Sequence, residues 1–196
     1  MINGRVYVSD SKVQSLVEDT NNINIKAKYE QITTNIFSIN QIIYKPLLDG
    51  TESIKNISGT VTASDGVLTG KSGYLSAGWS NTKDWKLTCQ FYIKSDTGII
   101  ICSNTTSSRD YDQIQINTSG VSQHSQSSQY TSFAFSSSLN TWHDLTIIKN
   151  SQGYTIIIDD VTAGTIDYRI PPIICIGVDS WGSNSASIKN ITVVKL

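Results

Sequence analysis

The spacing of apolar residues changes at Lys45-Pro46, and that change limits what this 196-residue chain can fold into. Ahead of it, Ile25, Tyr29, Ile32, Ile36, Ile39 and Ile43 recur at alternating spacings of four and three. A stripe with a period of about 3.5 lies along one face of a helix, and another surface must cover it. Beyond Pro46 apolar and polar residues alternate, the pattern of strands with one buried face. The sequence therefore predicts two parts, a helical 1–45 and a β-rich 46–196.

In the first part Ser9-Asp10-Ser11 offers a helix N-cap, and Pro46 stops the helix. Ile25, Ile32 and Ile39 take the d positions of a heptad, and Tyr29, Ile36 and Ile43 the a positions. Isoleucine at both positions favours trimers or tetramers over dimers. Thr33, Thr34, Asn35 and Ser38 are weak helix formers, so association has to supply the stability. The expectation is a homotrimeric coiled coil. The competing reading is that the isoleucines cover the sandwich of their own chain.

In the second part Trp85, Leu87, Cys89, Phe91 and Ile93 share one face of a predicted strand, and Lys86, Thr88, Gln90, Tyr92 and Lys94 the other. Further strands are expected at 66–70, 73–76, 98–102, 113–117, 131–135, 144–149, 154–159, 173–178 and 188–195. Turn signals such as Asp96-Thr97-Gly98 and Asn150-Ser151-Gln152-Gly153 separate them. Many short strands without a helical period predict a sandwich or barrel. Trp142 is expected in its core.

Net charge is −1, with scattered basic residues, which argues against a nucleic-acid partner. No run approaches the roughly 18–20 apolar residues of a membrane helix, and membrane insertion is not expected. Cys89, Cys102 and Cys175 lie in strand-like runs without zinc or redox spacing, and read as buried core thiols.

Trp142-His143-Asp144-Leu145-Thr146-Ile147-Ile148-Lys149, a turn, and Tyr154-Thr155-Ile156-Ile157-Ile158-Asp159 resemble the laminin-G/concanavalin A-like jelly-roll family. The resemblance spans about 47–196 and implies a mainly β sandwich, with His143 structural. Asp160 stands where the family's pattern has Gly. Gln31-Ile32-Thr33-Thr34-Asn35-Ile36 resembles helical segments that precede terminal domains in tail-tip and fibre proteins of tailed bacterial or archaeal viruses. Together these imply a virion receptor-binding module, made in the host cytoplasm without a signal peptide. Its expected partners are host cell-surface carbohydrate and other virion tail proteins.

Glu18, Glu30 and Glu52 are the only glutamates, so the sandwich beyond residue 52 lacks the residue most used for glycoside hydrolysis. Asp110 and Asp112 could form an aspartate pair, but read more readily as turn or surface carboxylates. No nucleophile–His–carboxylate pattern stands out, so no catalytic residue is assigned. Sugar binding needs an aromatic face with amide, hydroxyl or carboxylate groups beside it. Trp181, Asp179 and Asn184 in one predicted loop, and Asp110, Tyr111 and Asp112 with Tyr130 in another, offer that combination. No cofactor is expected; Ca2+ held by Asp110, Asp112 or Asp179 is the one metal considered. The readings that follow are a trimeric glycan-binding adhesin, a purely structural virion part, and a carbohydrate-active enzyme using aspartates.

Overall fold

In β6 (Trp85–Ile93) the five residues of one face are buried and the four between them are half-buried, as the alternation requires. The computed structural model describes residues 41–75, 79, 84–96, 98–103, 113–125, 128–166, 173–180 and 186–196, without the side chains of 99, 125 and 128–131. Among them the strands before β6 are β1 (Ile42–Tyr44), β2 (Ile54–Asn56), β3 (Val61–Ser64), β4 (Val67–Gly70) and β5 (Gly73–Leu75). After it come β7 (Gly98–Ser103), β8 (Gln113–Asn117), β9 (Gly120–Ser125), β10 (Ser128–Ala134) and β11 (Trp142–Asn150). The chain closes with β12 (Gly153–Ile158), β13 (Val161–Ile166), β14 (Cys175–Ser180) and β15 (Ala186–Lys195).

These strands make two antiparallel sheets. The larger runs β13-β12-β11-β6-β15-β4-β3, with β1 added to β15; the smaller runs β10-β9-β8-β7-β14-β5-β2. Their inner faces meet in one core, in which Leu87, Phe91, Leu145, Ile147, Ile156 and Ile188 of the larger sheet join Ile100, Ile114, Ile116, Ile176 and Val178 of the smaller. Trp79 and Trp85 pack edge to face at 5.4 Å, extended by Tyr44 and Tyr154. All three cysteines are buried, and burial pushes their thiols up. At one margin the Phe133 ring of β10 lies where a Cβ on Gly164 of β13 would sit, so only glycine lets the ring close there.

The helix expected to reach Pro46 does not include its last residues. Ile42–Tyr44 form β1, paired with Val194 and Val193 of β15, and Ile43 packs half-buried against the sandwich core. Backbone pairing and an apolar surface from β15 outweigh the helical spacing there, so Ile43 is corrected from a coiled-coil position to a sandwich residue. Ile25, Tyr29, Ile32, Ile36 and Ile39, and with them the trimeric coiled coil, lie outside the described residues.

Trp142 is also corrected. It shares its parity on β11 with Asp144, while His143, Leu145 and Ile147 point inward, so its ring lies half-buried on the outer face. The turn after β12 has positive φ at both Asp159 (49°) and Asp160 (63°), between the paired residues Ile158 and Val161. A two-residue hairpin of that kind favours Gly, Asn or Asp, which explains why Asp160 serves in place of Gly.

Candidate functional site

Of the residues singled out in the sequence, Trp181, Asn184, Asp110, Tyr111 and Asp112 lie outside the described residues. Tyr130 belongs to β10, and its side chain lies outside the description. Asp179 is corrected from loop to strand: it sits in β14, buried, with its Oδ1 accepting the N–H of Ser180. His124 is in β9, its Nε2 2.8 Å from Ser122 Oγ, and burial pushes its pKa down.

The outer face of the larger sheet gathers the chemistry that a sugar site needs. On β11 the outward side chains begin with Trp142 and Asp144, and the antiparallel register sets them opposite Tyr92 and Gln90 of β6. Gln90 in turn faces Lys189 of β15. Just after Lys189 the register shifts, and Asn190 adopts a positive φ of 55°. Between the buried Ile188 and Ile191, both Lys189 and Asn190 therefore face outward. A regular strand would turn one of them into the core; the irregularity re-aims it.

The groups so placed are linked. The Trp142 and Tyr92 rings lie 5.4 Å apart, and Lys189 Nζ stands 4.0 Å from the centre of the Trp142 ring, a cation–π contact. Tyr92 Oη donates to Asn140 Oδ1 at 3.1 Å. Gln90 Nε2 donates to Asp144 Oδ1, and Asn190 Nδ2 to Gln90 Oε1, each at 3.0 Å. These polar groups line a shallow depression of about 250 Å3 together with Thr88. One hydrogen bond does not exhaust an amide or a carboxylate, so the ladder stays able to bind hydroxyls while holding its own side chains in place. A depression of about 360 Å3 at the β9–β10 end is larger; in it Asn117 Oδ1 already accepts both the N–H and the hydroxyl of Ser119.

Beneath this surface His143 points the other way. Its Nδ1 is 2.6 Å from Asp159 Oδ2, and its Nε2 is 3.0 Å from the Ser138 carbonyl oxygen and 3.3 Å from Ser138 Oγ. Asp159 Oδ1 also accepts the backbone N–H of Asp144. Burial of the ring works against its charge, but the hydrogen bonds to Asp159 and Ser138 and the nearby carboxylates of Asp159 and Asp144 outweigh it, so its pKa lies above the ordinary value. Among the described residues no three His, Cys, Asp or Glu side chains converge as a metal site requires.

Sequence reasoning placed the aromatic–polar combination in loops and missed this face. The parity of Trp142 with Asp144 was a usable signal; the irregularity at Asn190 leaves none beyond the tolerance of Asn for positive φ.

No protein-family model and no curated protein sequence matches the chain. Solved structures do. The Ca2+/Man3GlcNAc-bound exoplasmic/lumenal domain of VIP36 matches with a TM-score of 0.55 and 13% identity, covering 80% of this chain and 88% of that one. The carbohydrate recognition domain of Emp46p matches with a TM-score of 0.54 and 12% identity, covering 78% and 94%. A protein of Parabacteroides distasonis provisionally described as a glycosyl hydrolase matches with a TM-score of 0.54 and 15% identity, covering 78% and 98%. The two antiparallel sheets of the sandwich match the jelly-roll fold of these lectin-like neighbours.

Proposed function

We propose that the sandwich is a non-catalytic glycan-binding module whose ligand lies on the outer face of the larger sheet. The observation that carries this reading is the continuity of the Trp142–Tyr92 aromatic pair with the Asp144–Gln90–Asn190 ladder. Aromatic faces cover the apolar side of a pyranose, and amides and carboxylates bind its hydroxyls. Trp142, Tyr92, Ser187, Thr69 and Thr62 stand in register across five adjacent strands. Strand spacing makes that row about 19 Å long. An open row of this length suits the inner units of a linear glycan better than a single terminal sugar. The lectin fold of the neighbours supports glycan binding, and the absence of glutamate after Glu52 supports binding without hydrolysis.

The wider reading is a virion tail or fibre adhesin in which the isoleucine seam joins three chains. Weak single sites would then gain through effective concentration on a cell surface. Sedimentation of the full chain tests the assembly: three chains are expected, and a monomer at high concentration would overturn it. A glycan array tests the site, followed by a series of the best-bound glycan cut to increasing length. Affinity is expected to climb over several sugar units. Equal inhibition by the free monosaccharide would contradict the extended row, and no binding to any glycan would overturn the function.

A further inference from the structure

We propose that a proton on His143 acts as a switch for the Ser138–Asn140 segment, and through Asn140 for the aromatic edge of the glycan-facing surface. The part concerning ligand affinity rests on the glycan-binding reading; the switch itself does not.

The geometry poses a donor-counting problem. Nδ1 faces a carboxylate oxygen of Asp159 at 2.6 Å, and Nε2 faces the Ser138 carbonyl oxygen at 3.0 Å. Both partners are acceptors, and only the imidazolium carries a proton on each nitrogen. When the proton leaves, the carboxylate retains Nδ1–H, and Nε2 turns a lone pair toward the carbonyl oxygen. Ser138 also presents its hydroxyl, 3.3 Å from the same nitrogen. That hydroxyl can donate to the bare Nε2, whereas the carbonyl cannot. One residue thus holds an acceptor for the charged ring and a donor for the neutral ring. In the neutral state the Nε2 lone pair and the Ser138 carbonyl oxygen, 3.0 Å apart, repel each other, a push on the backbone at Ser138 that the charged ring does not exert.

The consequence reaches the surface by a short path. Two residues on, Asn140 has a positive φ of 58°, its N–H donates to Ile93 of β6, and its side chain accepts the Tyr92 hydroxyl. Tyr92 packs on Trp142, the neighbour of His143 on β11. The charges facing the ring are those of Asp159, from the turn after β12, and Asp144, from β11 itself. From β6 it meets the uncharged Phe91 ring at 5.3 Å. Nothing positive among these opposes protonation.

The test is an NMR pH titration of the full chain, following the His143 ring, the Asn140 side-chain amide and the Trp142 indole N–H. All three are expected to move with one midpoint. Ser138→Ala removes the donor to the neutral ring and keeps the carbonyl, so the midpoint is expected to rise by about half a pH unit. Asp159→Asn is expected to lower it by about one pH unit. Asn140 and Trp142 signals that stay still while His143 titrates, or a Ser138→Ala midpoint equal to that of the wild type, would overturn the switch. Affinity for the best array glycan is expected to differ at least threefold across the midpoint. A titration that behaves as described with no change in affinity would confine the switch to the segment and overturn its reach to the ligand. Failure to bind any glycan would overturn the functional reading and leave the titration to judge the switch.

Discussion

Two glutamines in this sandwich meet opposite fates. Gln90 lies on the outer face of the larger sheet, bonded at its amide nitrogen to Asp144 and at its oxygen to Asn190. Gln123 points inward from β9, fully buried, and among the described residues neither its nitrogen nor its oxygen has a partner. The contrast separates a polar group in the candidate site from one that weakens the fold. At the surface a linked amide costs little, because water and neighbours share its hydrogen bonding. In the core an unpaired amide forfeits its hydration with nothing in return, about 1–3 kcal/mol.

The largest expected effect comes from the adjacent pair Phe91 and Tyr92, which face opposite ways. Phe91→Ala opens a cavity in the core and should cost about 3–5 kcal/mol in urea unfolding. Tyr92→Ala should cost about 1 kcal/mol or less and should weaken glycan binding. Equal losses from the two would break the assignment of faces. Gln123→Met keeps the volume and removes the unpaired amide, so unfolding should become harder by about 1–3 kcal/mol. A destabilised Gln123→Met protein would mean that the amide has a partner in solution. Gln90→Ala should leave stability within about 1 kcal/mol while lowering glycan affinity roughly tenfold, since it unties both Asp144 and Asn190.

The smallest effect is electrostatic. The pKa of His143 is raised in the folded chain, so its stabilisation is complete below the unfolded value of about 6.5 and fades as pH rises through the folded value. Thermal melts across that window should show a decline that Asp159→Asn flattens. An unchanged slope in the variant would remove Asp159 from the account.

Much of the fold could be read from alternation. Trp85 through Ile93 betrays its inner face residue by residue, and the run from Trp142 to Lys149 does the same once its parity is taken literally. β9 was hidden because its inward residues are Val121 and Gln123, one of them polar. β1 was hidden because Ile39 and Ile43 continue a helical spacing, and only the β15 partner selects the strand. The site was less legible than the fold. Its parts come from three strands and the segment before β11, brought together by register, and residue order does not reveal which strands are neighbours.

The central claim is that the ligand meets the Trp142 face. The most direct measurement is a glycan array probed side by side with the wild-type protein and Trp142→Ala. Loss of at least tenfold in binding, with a melting temperature within a few degrees of wild type, is the predicted result. Undiminished binding by Trp142→Ala would contradict the claim and send the ligand elsewhere on the sandwich.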